Sequence, residues 1–253
     1  MVSLKMTTKY GAMASAVFAS IVVAGVYFVR VSNSRKQEPS NRRKQEPPKL
    51  MRSMSMAVLH GGHLALKRLV EYHEARADNC ALLDQAECDL KHILSLEHPN
   101  YQKLQSIIAK LEMSGKETEA ITILENAITK AQNDGKCHEA YEIEMLLVEM
   151  LIYKGDFKKA LERKCLSHEE ISDARRPLYK AICTMLLKHE YNRKEAEQHW
   201  QDFNNLNKEF HCEPGSEKES LVESQLHKLK SDFREFEKVI NVLRDDIEAH
   251  AKN

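Results

Sequence analysis

The histidines of the turn HGGH are the first residues whose types and spacing could support chemistry. His60 and His63 flank its two glycines, and His73 lies ten residues after His63. A zinc site needs three or four grouped ligands, and neither an HExxH pair nor a cysteine pair accompanies these histidines. The glycines also lack the GxGxxG or GxxxxGK(S/T) context that binds phosphate. We therefore expect no metal site and no cofactor at this turn.

A second stretch, SHEEISDARR at 167–176, is dense in Ser, His, Glu, Asp and Arg. Ser167 and Glu170 have the spacing of a capping box, and acidic groups in a first turn favour the helix dipole, so we interpret the stretch as a helix start. No GxSxG elbow is present. Cys165 beside Lys164 could have a lowered thiol pKa, but a packing thiol is the simpler interpretation. We expect that the chain is not an enzyme.

The elements that must position these residues are predicted to be helices. Of 253 residues, 42% are apolar and 6% aromatic, and eight Gly and six Pro are few for this length. Such a composition favours helices and provides enough apolar residues for a core, so the predicted fold class is all-α. Six scattered cysteines without a CxxC pair predict free thiols in a reducing compartment, with a disulfide framework as the alternative.

The charge is distributed unevenly along the chain. Residues 1–52 contain ten Lys or Arg and two Glu, a net charge of +8, whereas residues 53–253 contain 28 basic and 36 acidic residues, a net charge of −8. Affinity for nucleic acid depends on neutralising phosphates, which an acidic domain does poorly. We therefore expect no nucleic-acid partner.

The N-terminal part predicts a membrane anchor and a linker. After a short tail, residues 1–10, the stretch 11–29 carries no charge and would span roughly 28 Å as a helix, close to the ~30 Å hydrocarbon core of a membrane. Its apolar run continues past the small residues where a signal peptide would be cleaved, so a retained transmembrane helix is favoured over a cleaved signal. Most nearby Lys and Arg follow the span, which places the following domain in the cytosol.

The linker, residues 30–55, contains the motif RKQEP twice. Basic residues near an anionic membrane surface contribute about 1 kcal/mol each, and proline keeps such a segment extended. The linker resembles the basic flank that directs signal-anchored proteins to plastid or mitochondrial outer membranes rather than to the endoplasmic reticulum. We expect a single-pass protein of such an outer membrane, with a merely solvated linker as the alternative.

Two segments of the following domain share a pattern typical of a helical repeat. In IIAKLEMSGKETEAITILENAI and in LLVEMLIYKGDFKKALERKCL, an apolar helix end is followed by a glycine and, five residues later, by an alanine. Glycine supplies the left-handed turn between two helices, and alanine permits close packing. The residues that carry the pattern are Gly115, Ala120, Ala127, Gly155, Phe157 and Ala160. A third copy, with its alanine displaced by one residue, contains Ala196.

This pattern resembles the tetratricopeptide repeat, whose hairpins have a small residue at the turn and alanines where the helices approach closely. The resemblance implies an α-solenoid of antiparallel helical hairpins over residues 56–212. One N-terminal span followed by such a domain is also similar to the layout of membrane-anchored tetratricopeptide-like proteins of plants. Repeat arrays bind a protein partner, a peptide or a folded domain, on a concave face. That face would lie at Tyr141, Glu144, Met145, Val148 and Glu149.

The co-chaperone members of that family hold a peptide carboxylate with Lys, Arg and Asn. The corresponding positions here carry Gln105, Ser106 and Ala109 in one copy and Met145, Leu146 and Glu149 in the next. The resemblance therefore does not extend to the binding of chaperone tails.

The C-terminal segment, residues 213–253, has the most regular apolar pattern of the chain. Its apolar residues alternate at steps of four and three, which predicts one long helix. These residues, the heptad seam, are Val222, Leu226, Leu229, Phe233, Phe236, Ile240, Leu243 and Ile247. The helix would either cover the open end of the helical stack or form a coiled coil that makes a homodimer.

The sequence thus predicts a membrane-anchored, tetratricopeptide-like adaptor or scaffold that binds another protein from the cytosol. The alternative is a tether at an organelle membrane that associates with itself through residues 217–250. An enzyme would need a polar pocket with perturbed ionisable groups, and an organellar RNA-binding repeat conflicts with the acidic domain.

Overall fold

The computed structural model describes residues 54–71, 80–187, 192–210 and 221–251, and within these ranges the chain forms helices and no strand. The all-α prediction is confirmed for this part of the chain. In order, the helices are α1 (Met54–His60), α2 (His63–Glu71), α3 (Cys80–Leu94), α4 (Tyr101–Leu111), α5 (Glu117–Asn133), α6 (Cys137–Lys154), α7 (Phe157–Leu161), α8 (Arg175–Leu186), α9 (Arg193–Glu209), α10 (Leu221–Ser231) and α11 (Phe233–His250). All of them lie in the unit Met51–Asn253.

The predicted tail, membrane span and most of the linker lie outside the described residues. Within the described ranges, no helix is both long enough and apolar enough to cross a membrane.

Helix α6 forms the centre of the described domain. Every residue from Ala140 to Tyr153 is buried, because its apolar side chains are distributed around the whole circumference of the helix. Helices α4, α5, α7 and α8 pack around it, together with a 3₁₀ turn at Lys164–Ser167. The solvent-facing stripe that an edge helix would show is therefore missing from this segment of α6.

Two glycines determine where the hairpins around α6 turn. Gly115, between α4 and α5, has a φ of 82°, and Gly155, between α6 and α7, has a φ of 91°. Ala120 and Ala160, five residues after these glycines, are buried, whereas Ala127 and Phe157 are half-buried. Left-handed backbone at the end of a helix favours glycine because it lacks a Cβ.

The second hairpin is shorter than a repeat array requires. Helix α7 has five residues, and the chain then continues through the 3₁₀ turn and irregular backbone to Ala174. The capping box expected at Ser167 and Glu170 does not form. Helix α8 begins at Arg175 instead. The Arg175 backbone N–H donates a hydrogen bond of 2.9 Å to Asp173 Oδ1. The Asp173 carboxylate thus satisfies the first backbone N–H of α8, while the N-cap residue itself is Ala174.

The C-terminal segment forms two helices where the heptad pattern predicted one. Asp232 has extended backbone between α10 and α11, and its side chain accepts a hydrogen bond of 2.8 Å from the Arg234 backbone N–H. This local bond caps a new helix, as aspartate often does. The seam packs within the chain: Val222 is half-buried, and the other seven residues are buried. Helices α10 and α11 both contact α2, and α11 also contacts α8.

Candidate functional site

The interior of the domain contains an unusual number of charged and polar side chains. They are His60, Gln105, Glu112, Glu142, Glu144, Glu149, Asp173, Arg175, Arg176, Thr184 and Asn207. Burying a charge is costly unless it is paired and hydrogen-bonded, so each of these groups calls for a partner. The partners divide most of them into three clusters around α6.

The first cluster, the Arg175 cluster, consists of Arg175, Asp173, Glu142, His60 and Tyr141. The Arg175 guanidinium donates from Nη2 to Asp173 Oδ2 at 2.6 Å and to Glu142 Oε2 at 2.8 Å. His60 Nε2 lies 2.6 Å from Glu142 Oε1, and the Tyr141 hydroxyl donates to Asp173 Oδ2 at 3.0 Å. The cluster therefore connects α1, α6 and α8 in the interior.

The electrostatics of this cluster keep its central charges ionised. Burial alone would raise the pKa of Glu142, but the Arg175 charge and the hydrogen bonds from His60 and Arg175 lower that pKa to about 2. Burial likewise opposes the Arg175 charge, but Asp173 and Glu142 raise the guanidinium pKa well above its ordinary value. The arrangement therefore acts as a buried ion pair.

The HGGH turn is fastened to the same region by its backbone. The Ala174 N–H donates to the His60 carbonyl at 2.7 Å, and the Asn207 amide donates to the Gly61 carbonyl at 2.6 Å. A Cβ on Gly62 would lie 3.0 Å from the Phe203 ring. The two glycines thus allow the turn to approach α8 and α9 closely, which accounts for a motif whose function the sequence left open.

The second cluster, the Glu112 cluster, consists of Arg68, Glu112, Glu149, Gln105 and Tyr179. Arg68 Nη2 donates to Glu112 Oε2 at 2.8 Å and to the Ala109 carbonyl at 2.7 Å. Glu149 Oε2 accepts from the Gln105 amide at 3.0 Å and from the Tyr179 hydroxyl at 2.9 Å. These bonds connect α2, α4, α6 and α8.

This second cluster contains two buried carboxyl groups near one guanidinium. Burial raises the pKa of Glu112 to about 8, against the opposing charge of Arg68 and with the support of Glu149. Burial also raises the pKa of Glu149, although Arg68, Tyr179 and Gln105 oppose the change. The two clusters therefore shift carboxyl pKa values in opposite directions. The Arg175 cluster stabilises the ionised form of Glu142, whereas the Glu112 cluster disfavours the ionised forms of Glu112 and Glu149.

A third, smaller cluster holds the irregular chain after α7. Glu144 accepts from Arg163 Nε at 3.0 Å and from the Cys165 backbone N–H at 3.1 Å. Burial raises the pKa of the Cys165 thiol, with a further contribution from Glu144, so the lysine at 164 does not activate it. This thiol is a packing group.

The five residues predicted to form a concave binding face lie in the interior. Tyr141, Glu144 and Glu149 bond to other buried groups, as described above, and Met145 and Val148 are 1% and 0% exposed. The expectation that they face a ligand groove is corrected by the structure. Because α4, α5, α7 and α8 surround α6, no side of this segment is left for a partner.

The sequence did give a signal of the clusters that was missed. Glu142, Glu144 and Glu149 interrupt a helix that is otherwise apolar, and such residues are seldom buried without partners. Arg175 and Asp173 belong to the charged stretch at 167–176, for which the sequence predicts only a helix start. The pairing of the two stretches across more than thirty residues could not be deduced from either one alone.

Within the described ranges, no group of three or more His, Cys, Asp or Glu side chains could hold a metal ion. The five cysteines in these ranges are free thiols: Cys80, Cys88 and Cys137 are exposed, and Cys165 and Cys183 are buried.

Comparisons with protein-family models, with curated proteins and with solved structures find no match for the chain.

Proposed function

We propose that this chain is a protein-interaction scaffold: a rigid, tetratricopeptide-like helical domain that is held at a membrane by its N-terminal segment. The supporting observation is that the ionisable groups in its interior form ion pairs with one another. Arg175 on α8 bonds to Glu142 on α6 and to Asp173 just before α8, and Arg68 on α2 bonds to Glu112 at the end of α4. Buried hydrogen-bonded charges of this kind fix the arrangement of helices, so a partner would meet a preformed surface.

The repeat interpretation rests on the hairpins α4–α5 and α6–α7 and on the left-handed glycines 115 and 155 at their turns. The shortened α7 departs from it. We propose that this departure matters for function, because it leaves the irregular segment 167–170 on the surface.

All four residues of that segment, SHEE, are exposed. Its backbone is nevertheless anchored: the Cys165 N–H before it donates to Glu144, and the His168 carbonyl within it accepts from Arg176 Nη1. Loops held on a rigid scaffold frequently carry binding residues. The segment is therefore the first place at which a partner contact should be sought.

Site-specific photocross-linking tests the proposal. The full-length chain, with a photoreactive residue at His168, is expressed in cells and irradiated. A matched chain carries the residue at Glu125, which is exposed on α5. We expect a cross-link to one discrete protein from position 168 that the Glu125 chain does not give. Cross-links only to a second copy would support the tether instead, and the absence of any discrete product from both positions would contradict the scaffold.

The membrane part of the proposal places residues 11–29 across an outer membrane of a plastid or mitochondrion, with the helical domain in the cytosol. Protease treatment of isolated organelles tests it with a tag on the C-terminus of the full chain. Digestion of the tag without detergent is expected, while the N-terminal part stays with the membrane pellet. A tag that is protected until detergent is added would show that the domain lies on the other side.

The alternative, a tether that dimerises through the heptad seam, receives no support from the described residues. Seven of the eight seam residues are already buried against the same chain, Phe236, Ile240 and Leu243 completely. A dimer through this seam would require α10 and α11 to leave their own domain. The seam instead covers α2, α8 and α9, as a terminal cap does.

A further inference from the structure

Two carboxyl groups in the interior share a single guanidinium. Glu112, which follows α4, and Glu149 on α6 are 3% and 2% exposed. Arg68 on α2 bonds to Glu112 Oε2 and is the largest opposing charge at both carboxyl groups. If both carboxyl groups were ionised, the cluster would hold two negative charges against one positive charge away from water, which is strongly unfavourable.

In each carboxyl group, only one of the two oxygens accepts a hydrogen bond from the described residues. Glu112 Oε2 accepts from Arg68, and Glu149 Oε2 accepts from Gln105 and Tyr179. The remaining oxygens, Glu112 Oε1 and Glu149 Oε1, have no hydrogen-bond partner among the described residues. A neutral carboxyl group tolerates such a position better than a carboxylate, because burial penalises the charged form most.

The other charged and titratable groups around the pair do not remove this imbalance. Glu117, at the start of α5, adds a negative charge near Glu112. Tyr153 on α6 and Tyr179 on α8 have raised hydroxyl pKa values because of burial and the same carboxyl groups, so both remain neutral. Arg175 on α8 acts on Glu149, but its guanidinium is already bonded to Glu142 and Asp173.

We propose that Glu112 and Glu149 hold one proton between them at neutral pH, and that its loss in mildly alkaline solution loosens α2 from α4. The proton belongs to the pair rather than to one residue, as in other closely coupled acids. Arg68 is the mechanical link, because its Nη2 donates both to Glu112 and to the Ala109 carbonyl of α4. A second negative charge beside Arg68 would leave an unpaired buried carboxylate, which opening the cluster to water would relieve.

The sign of the expected effect follows from proton linkage. The pKa of Glu112 rises from 4.5 to about 8 on folding, so the folded chain binds one more proton than the unfolded chain between these pH values. The stability from this proton is fully present below about pH 4.5 and is lost as the pH rises to about 8. The unfolding equilibrium constant should therefore increase about tenfold per pH unit in this window.

The test is urea unfolding of the full-length chain between pH 6 and pH 8, followed by fluorescence of Trp200, the single tryptophan. Glu112→Gln keeps an oxygen that can accept from Arg68 but removes one acid. The unfolding equilibrium constant of this variant should therefore lack the increase of about tenfold per pH unit that is expected for the wild-type chain. Glu149→Gln should flatten the slope in part, because it removes the Glu149 charge that helps to raise the pKa of Glu112 while the burial of Glu112 remains. Glu119→Gln, exposed on α5, is the matched control and should keep the wild-type slope.

A wild-type slope that persists unchanged in both glutamine variants would overturn the proposal. If either variant fails to fold, infrared spectroscopy of the wild-type chain decides. At neutral pH the carbonyl stretch of a protonated carboxyl group should be present and should disappear as the pH is raised. A spectrum without that band at neutral pH would also overturn it.

The loosening of α2 has its own measurement. In amide hydrogen exchange of the full-length chain, corrected for the intrinsic pH dependence of exchange, His63–Glu71 should lose protection above pH 8 by more than Arg193–Glu209 does. The Glu112→Gln chain should show no such difference between the two helices. Equal losses in both helices of the wild-type chain would contradict the link through Arg68.

Discussion

At the scale of single residues, Arg175 decides whether the interior charges are compatible with folding. It is 1% exposed and forms ion pairs with both Asp173 and Glu142. A buried ion pair contributes little by itself, but breaking it leaves an uncompensated charge. Arg175 is therefore a structural residue, although its sequence neighbourhood resembles that of a reactive site.

The first prediction concerns the loss of this guanidinium. Arg175→Met should lower the free energy of unfolding by about 3–5 kcal/mol, because Glu142 and Asp173 remain buried without it. Arg234→Met, at an exposed position of α11, should change the free energy by less than about 0.5 kcal/mol. Urea unfolding followed by Trp200 fluorescence measures both. Similar effects of the two substitutions would contradict the role of Arg175.

A second prediction follows from the lowered pKa of Glu142. Burial alone would raise this pKa, but Arg175 and His60 lower it. Because that pKa falls from 4.5 to about 2 on folding, Glu142 contributes stability above pH 4.5 that is lost as the pH falls towards 2. By pH 3 the wild-type chain should therefore have lost about 2 kcal/mol more stability than Glu142→Gln. Unfolding curves between pH 6 and pH 3 measure this, and parallel losses in the two chains would refute it.

At the scale of helices, the turns before α5 and after α6 could be predicted from the sequence. Gly115 and Gly155 mark the turns on either side, and apolar spacing fills the intervals between them. What the sequence did not predict was the environment of α6. A repeat pattern suggests one exposed face, whereas the long-range bonds of Glu142 to Arg175 and of Gln105 to Glu149 bring helices onto every side.

The ends of α7 and α10 show the same limit. Local hydrogen bonds of Glu144 and Asp232 ended helices that periodicity alone would have continued. Such bonds compete with helical backbone, and their outcome depends on tertiary partners that a short window of sequence does not contain. For the same reason, the partners of Arg175 and of Glu112 within their clusters could not be predicted.

A third prediction separates the two turn glycines. Gly155→Ala and Gly115→Ala both place a Cβ on left-handed backbone, which costs about 1–2 kcal/mol. At Gly155 the new Cβ would also lie 3.1 Å from Ile247 Cγ2, while nothing lies within 4 Å at Gly115. Thermal unfolding should show the larger loss for Gly155→Ala. Equal losses would mean that α11 does not pack against this turn.

At the scale of the whole molecule, the heptad seam packs against α2, near the start of the described domain, and against α9, near its end. Phe233 packs 5.5 Å from the ring of Trp200 on α9, and the indole N–H donates to the Leu229 carbonyl at 3.0 Å. Helices α10 and α11 also contact α2. The seam therefore stabilises the fold of one chain.

The fourth prediction distinguishes a cap from a coiled coil. Phe236→Ala, at a completely buried seam position, should lower the free energy of unfolding by about 3–5 kcal/mol and leave the sedimentation of the folded chain unchanged. Val242→Ala, at an exposed position of the same helix, should affect neither. Sedimentation that changes from dimer to monomer in Phe236→Ala, with the fold intact, would support self-association through the seam.

The central claim is that α6 is the enclosed centre of the domain and that any partner binds elsewhere. Hydroxyl-radical footprinting of the full-length native chain tests it most directly, because methionine is among the side chains that react fastest with radicals. Met145 and Met150 should remain unmodified until urea unfolds the chain, whereas the exposed Leu82 and Val242 should be modified in the native state. Modification of Met145 in the native chain at nearly its rate in the unfolded chain would show that α6 has an open face and would contradict the account.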